Sequence, residues 1–291
     1  MKVLSLFDGM SCGMIALERA GIDVDGYYAA EIDKYAIKVS GANYPGIKRL
    51  GDVQTINYQM LPKIDLLIGG SPCQGFSLAG KGLNFSDPRS ALFFEFVHAI
   101  KETKPKQFLL ENVNMRQEIQ DAISKLLGCE PVKINSNLVS AQNRNRLYWT
   151  NIKDVGQPED KKIVLSDILE HGITDRLKSH CIDANYFKGG NLKSYFEKHR
   201  RQLIFQRGRG NNKGGYKALN GKTPTLSSSS WEHNNFLVDK TGVRKLTPIE
   251  CERLQTVPEG YTNHVSDSQR YKMLGNGWTV DVISHIFKGI A

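Results

Sequence analysis

The chain has 291 residues, 40% apolar and 24% charged, with a formal net charge of +9 at pH 7. Those proportions are those of an ordinary globular protein. No apolar run approaches the roughly 18 residues a membrane helix needs, and the start opens on a strand pattern rather than a signal peptide. Five scattered cysteines (Cys12, Cys73, Cys129, Cys181, Cys251) contain no C-x-x-C pair. They argue against a disulfide framework or a zinc site and for a reducing cytoplasm.

Val3 to Phe7 reads as a first strand, Asp8 to Gly13 as the turn after it, and Met14 to Ala20 as a short helix closed by Gly21. A glycine-rich turn between strand and helix offers backbone N–H groups to an anion. The spacing is G-x-x-x-G, not the G-x-G-x-x-G of nicotinamide enzymes, and Asp8 would crowd a pyrophosphate. A smaller ligand with one carboxylate and one ammonium fits better, the backbone taking the first and Asp8 attracting the second. The bland reading is a tight turn.

Gly26 to Ala30 is a second strand ending at Glu31. An acid there is the usual ribose-hydroxyl acceptor of nucleoside-binding sheets, although it could equally cap the helix beginning near Lys34. Asp52, in the loop Gly51-Asp52-Val53, could accept from an exocyclic amine or serve as a turn residue. Turn, acid and second acid together describe a nucleoside-plus-amino-acid cofactor, for which S-adenosylmethionine is the natural candidate.

The apolar run Ile64 to Ile68 is short and branched enough for a buried parallel strand. Gly69, Gly70 and Pro72 stop it, so Cys73 falls on the loop past its carboxyl end, the edge where open α/β sheets bind ligands. Cys73 is either a nucleophile or one more small apolar residue. From Gly75 to Pro88 runs a polar loop whose glycines would let it close over a substrate. A helix over Arg89 to Glu102 leads to a strand, Gln107 to Leu110, with Glu111-Asn112-Val113 at its end. Glu111 is thereby expected at the same sheet edge as Cys73, able to share a proton with a bound base; its bland alternative is a helix cap. Ser140 to Trp149 reads as a strand presenting Arg144 and Arg146 on one face, suited to phosphate or a base edge.

From about Asn151 the pattern turns polar, basic and glycine-rich. Between Lys188 and Lys222 ten Lys/Arg stand against one acid, Glu197, so the whole surplus charge lies in this segment. Interleaved glycines and aromatics favour contact with a nucleic acid over a merely solvated face. Order returns at Arg244, where Thr247, Pro248 and Glu250 spell a capped helix start. Met273 to Thr279 reads as a second nucleotide-type loop entering a helix over Val280 to Lys288. The resulting division is a catalytic and cofactor-binding domain over 1–150, a small target-recognition domain over 151–243, and a return to the catalytic domain over 244–291.

These stretches, in this order and nearly end to end, resemble the motifs of the cytosine carbon-5 DNA methyltransferases. They are Phe7-Asp8-Gly9-x-x-x-Gly13, Glu31, Gly51-Asp52-Val53, Pro72-Cys73-Gln74, Glu111-Asn112-Val113, Gln142-Asn143-Arg144-Asn145-Arg146, Lys245-Leu246-Thr247-Pro248-x-Glu250 and Gly275-Asn276-Gly277-x-Thr279-Val280. The start, the run Ile68 to Cys73 and Trp278 further resemble the animal de novo branch, although a bacterial or phage source is expected. The first loop departs from many bacterial members by carrying Met10-Ser11-Cys12, and the insert is short.

The resemblance implies an α/β fold of the Rossmann-like S-adenosylmethionine-dependent type, mostly parallel with helices on both faces. It also implies transfer of a methyl group from S-adenosyl-L-methionine to carbon 5 of cytosine, leaving S-adenosyl-L-homocysteine. Cys73 would add to carbon 6 and Glu111 would hold ring nitrogen 3, with Asn112, Arg144, Arg146 and Pro72 ordering the site. The base must be flipped out of duplex DNA to be reached. The cofactor is expected against Phe7, Asp8, Gly9, Met10, Ser11, Cys12, Glu31, Ile32, Asp52, Val53, Asn276, Gly277 and Trp278. DNA is expected against Gln74, Ser77, Arg207, Arg209 and Lys213. No metal and no membrane are expected; a cognate restriction endonuclease is a candidate partner, and the location is the cytoplasm, at the nucleoid. The rivals are a transfer-RNA methyltransferase of the same fold, a nicotinamide oxidoreductase and a catalytically silent DNA-binding module.

Overall fold

Val3, Leu66, Ile68 and Leu109 fall in one buried apolar cluster, while their strand neighbours Leu4, Leu67 and Leu110 fall in another. Side chains alternate across a strand, so runs apolar at every position must be buried on both faces, which demands a parallel sheet between two layers of helices. The computed structural model, which describes residues 1–72, 88–189, 195, 197–207 and 241–290, has that architecture.

The strands β1 (Lys2–Leu6), β2 (Gly26–Ala30), β3 (Lys48–Gly51), β4 (Leu66–Gly69), β5 (Gln107–Val113), β6 (Val132–Asn135) and β7 (Asn145–Thr150) form one sheet in the order β3-β2-β1-β4-β5-β7-β6. The pairs from β3 through β5 are parallel, while β7 runs antiparallel to both of its neighbours. The helices are α1 (Cys12–Arg19), α2 (Lys34–Asn43), α3 (Pro88–Thr103), α4 (Gln117–Leu127), α5 (Pro248–Leu254), α6 (Asp267–Asn276) and α7 (Val280–Phe287). Val280, Ile283 and Phe287 of α7 join Ile15 and Ala16 of α1 in the first cluster, whereas Phe93 and Phe96 of α3 and Ile119 and Ile123 of α4 fill the second. Arg19 of α1 donates to Asp281 of α7 at 2.6 Å, pinning the two helices at their rim.

Register decides the site. Leu6 pairs with Ala30 on one side and Gly69 on the other, and Gly69 pairs with Leu110. The residues one step further on, Phe7, Glu31, Gly70 and Glu111, therefore stand in a rank along one edge. The strand order turns outward in both directions from β1 and β4, which makes this edge the switch point where such sheets take ligands.

Three sequence expectations need correction. Strand β5 runs on to Val113, so Glu111 lies within it, pairing with Tyr148, rather than past its end. Ser140 to Arg144 is not strand: a short helical turn over Ser136–Leu138 precedes it, and β7 begins only at Asn145. Met273 to Asn276 closes α6 instead of forming a loop, leaving Gly277 as the residue that ends the helix. The glycines there mislead because their role is close approach: a Cβ on Gly275 would stand 2.2 Å from the Asp183 backbone. The predicted start of α5 is as read, Thr247 Oγ1 accepting from the Glu250 amide and Glu250 from the Thr247 amide.

In the polar segment, β8 (Leu203–Arg207) and β9 (Thr241–Lys245) form a separate antiparallel pair. Leu165, Ile168, Ile182, Tyr186 and Ile204 nonetheless belong to the same apolar cluster as the sheet residue Ile68.

Candidate active site

Above the rank of strand ends lies a cavity of about 430 Å³, walled by both ends of the chain. Phe7 to Met10 with Cys12 supply one wall, and Met273 with Gly275 to Trp278 supply a second that packs against it at Met10 and Cys12. Gly70 to Pro72 and Glu111 to Val113 line a third side with Arg144 and Arg146, and Glu31, Asp33 and Lys272 also line it.

The first wall is set by an unusual backbone. Phe7 (φ 58°) and Ser11 (φ 63°) are left-handed without being glycine, flanking Gly9 at φ 59°. Left-handed non-glycine residues are costly and persist when surroundings over-determine them. Asp8 provides that determination. Its carboxylate accepts from Ser11 Oγ at 2.5 Å and from Tyr27 OH at 2.7 Å, with Arg49 3.5 Å away. Ser11 Oγ also meets Ser40 Oγ, to which Arg49 donates. Burial pushes the Asp8 carboxyl above its ordinary range, opposed by its hydroxyl partners and Arg49. Asp8 lines the cavity, but its oxygens are engaged by the protein itself. The same burial pushes the Cys12 thiol up to about 12, so Cys12 is a wall and not a nucleophile.

Glu31 accepts from the amides of Gly9 at 2.7 Å and of Ile32 and Asp33 at 2.8 Å, tying the β2 end to the first turn. The cap of α2 is Asp33, which accepts from Tyr35 N at 2.9 Å. Ile32 is 73% exposed and lies outside the cavity lining. Asp52 accepts from Gln54 N at 3.0 Å, the turn role weighed from sequence, and it, Val53 and Ser11 are likewise not among the lining residues.

On the third side, Arg146 Nε meets Glu111 Oε1 at 2.9 Å. Burial works against the Arg146 charge, but Glu111, Cys181 and Tyr148 together outweigh it and the guanidinium is held above its ordinary range. Asn112 Nδ2 donates to Ser71 O and Oγ at 3.3 Å, fixing the chain that leads into Pro72. A Cβ on Gly70 would stand 3.0 Å from Trp278 Nε1 and 3.2 Å from Glu111 Oε2, so the chain leaving β4 passes closely between them. Cys73, Gln74 and Ser77, and with them the Gly75 to Pro88 loop up to residue 87, lie outside the described residues, as do Arg209 and Lys213; Arg207 ends β8.

Arg144 departs from its expected partnership with Arg146. Its guanidinium donates to Gly275 O at 3.2 Å, Gly277 O at 2.9 Å and Ile182 O at 3.2 Å, and to Cys181 Sγ at 3.3 Å. It is 4% exposed, a clamp on the carbonyls that close α6. Sequence reading missed its helpers: Gln142 donates to Gln255 Oε1 at 2.9 Å, and Gln255 donates to Leu274 O at 2.6 Å. Asp33 and Lys272 were also missed; Glu31, not Asp33, was the cap weighed for α2.

The lining suits a donor of the S-adenosylmethionine type. Phe7, Met10, Met273 and Trp278 offer apolar and aromatic surface and Glu31 and Asp33 offer acids, while Gly277 packs closely on the first turn, a Cβ there standing 3.1 Å from Met10 Cε. Among the described residues, no cluster of His, Cys, Asp and Glu could hold a metal ion and no helix is long and apolar enough to cross a membrane.

A doubly wound sheet with such a cavity at its switch point is the fold of an S-adenosylmethionine-type methyltransferase. The model of the C-5 cytosine-specific DNA methylases matches residues 1–291, and the chain belongs to that family. Type II methyltransferase M1.ScrFI of Lactococcus lactis subsp. cremoris is 33% identical over 313 residues, spanning 98% of this chain and 76% of the relative. Type II methyltransferase M.NlaX of Neisseria lactamica is 31% identical, spanning 98% and 94%. Among solved structures, the Entamoeba histolytica methyltransferase EhMeth covers 100% of this chain and 99% of its own at a TM-score of 0.72, with 16% identity, a likeness of fold. The protein is a DNA cytosine-5 methyltransferase.

Proposed function

We propose that the chain methylates a cytosine flipped out of duplex DNA through a covalent adduct on Cys73, with S-adenosyl-L-methionine as the donor. The observation that carries this is the Glu111–Arg146 pair at the cavity edge beside Pro72, the residue that precedes Cys73 in the chain. The donor supplies an electrophilic methyl group. The Cys73 thiolate forms a bond to carbon 6, which places an electron pair on carbon 5. That carbon takes the methyl group as its bond to the donor's sulfur breaks, leaving S-adenosyl-L-homocysteine, and loss of the proton on carbon 5 then expels the thiolate and restores the ring. Glu111 holds ring nitrogen 3 as charge builds there, and Arg146 fixes the carboxylate for that contact. Arg144 acts at one remove, by holding the turn that carries Trp278.

Flipping a base costs a few kcal/mol, which phosphate contacts from the basic stretch 188–222 offset. On this reading residues 151–243 grip the target, with Arg207, Arg209 and Lys213 against DNA and Gln74 and Ser77 beside the flipped base. The type II names of the relatives support a restriction-modification role with a cognate endonuclease, in a cell compartment that holds DNA. The test is transfer of labelled methyl to duplex DNA and to transfer RNA by the wild type and by Cys73→Ser. Label on DNA cytosine that the variant abolishes is expected; undiminished transfer by Cys73→Ser overturns the adduct.

A further inference from the structure

Asp33 and Lys272 lie 239 positions apart in the chain, and both line the cavity. Lys272 Nζ donates to Asp33 Oδ2 at 2.8 Å, with side chains 46% and 32% exposed, so the pair stands between the cavity and solvent. The other Asp33 oxygen is engaged by the first turn of α2, accepting from Tyr35 N at 2.9 Å and Ala36 N at 3.4 Å. Asp33 is held upstream as well, its amide donating to Glu31 at 2.8 Å. Lys272 sits on α6, whose end carries Asn276, Gly277 and Trp278. The contact thus ties the wall built from the chain's beginning to the wall built from its end, and it does so with the lysine on a flexible stem.

We infer that the Asp33–Lys272 pair is a strap that retains the methyl donor and must part before the spent donor leaves. The inference rests on the reading that this cavity holds S-adenosylmethionine. The two walls are otherwise joined by fixed contacts, Tyr261 donating to Met10 O at 2.6 Å and Arg19 to Asp281 at 2.6 Å; exchange needs an element that yields, and an exposed ion pair yields cheaply. Its strength is that of a surface pair, which sets the expected size of the effect. In many enzymes such an opening step, not chemistry, limits turnover.

Stopped-flow tryptophan fluorescence, with Trp278 in the cavity wall, measures association and release of S-adenosylhomocysteine by the full chain without requiring catalysis. Lys272→Met is expected to speed release by about two- to five-fold at low salt. Lys272→Arg, which keeps the pair, is expected to release at the wild-type rate. Asp33→Asn keeps the helix cap while removing the charge. It should match Lys272→Met, and the double variant should be no faster than either single. Raising salt should speed release by the wild type and leave Lys272→Met unchanged. Unchanged release in Lys272→Met overturns the strap. So do additive effects in the double variant, or failure of Lys272→Arg to rescue, since both mean that Lys272 touches the ligand directly. A wild type that binds no S-adenosylhomocysteine, at any salt, overturns the reading of the cavity instead.

Discussion

Two carboxylates border the same cavity and are used in opposite ways. Asp8, on the first turn, is surrounded by Ser11, Tyr27 and Arg49, and every partner it has is part of the scaffold. Glu111, on β5, is held through one oxygen by Arg146, while its other oxygen lies on the Gly70 side of the cavity. The two arginines repeat the contrast: Arg144 spends its donors on backbone carbonyls, whereas Arg146 orients an acid. The difference teaches that a charged side chain bordering a cavity is available to a ligand only where the protein leaves part of it unspent.

Substitutions on the two sides should therefore fail differently. Glu111→Gln is expected to reduce methyl transfer by about 10²-fold or more, the scale of a lost acid–base group. Its thermal midpoint should stay near the wild type, read by a methylation assay beside a melting curve. Asp8→Ala should do the reverse. It strands the Tyr27 hydroxyl and the Arg49 charge in the interior, so a loss of about 3 kcal/mol is expected in denaturant unfolding, accompanied by weaker donor binding. Equal loss of stability in both variants would erase the contrast. Arg144→Met should cost about 1–3 kcal/mol by leaving buried carbonyls without donors, and should weaken donor binding more than it slows the chemical step.

Much of this was open to a reader of the sequence. Glu31 and Trp278 line the cavity because one follows a strand and the other precedes a helix, positions that patterning locates well, and Glu111 lines it from within β5. What sequence could not show was which polar groups satisfy one another. Asp8 looked available to an ammonium because nothing local reveals that Tyr27, from β2, points its hydroxyl at it. Arg144 and Arg146 look equivalent when a strand is read through both, and the start of β7 at Asn145, which separates their fates, has no strong local signal. Asp33 and Lys272 meet only in three dimensions.

The smallest expected effect lies away from the cavity and sets a baseline for both sides. His180 accepts from Arg176 Nη1 at 2.6 Å, and burial, with Arg176 and His199 nearby, lowers its pKa from 6.5 to about 4. A base depressed in the folded state stabilises above its unfolded value and loses that contribution as the pH falls. Stability should thus decline between pH 6.5 and about 4, and His180→Gln should flatten the slope in urea titrations across that range.

Two walls of the cavity come from Phe7 to Met10 with Cys12 and from Met273 with Gly275 to Trp278, and this has a consequence for biosynthesis. A nascent chain arrested before residue 272 already carries every strand of the seven-stranded sheet, yet it lacks the side of the pocket that faces its own first turn. Methyl-donor capture is thereby postponed until residues 273–278 have emerged from the ribosome, and products truncated before them carry Cys73 without that part of the pocket.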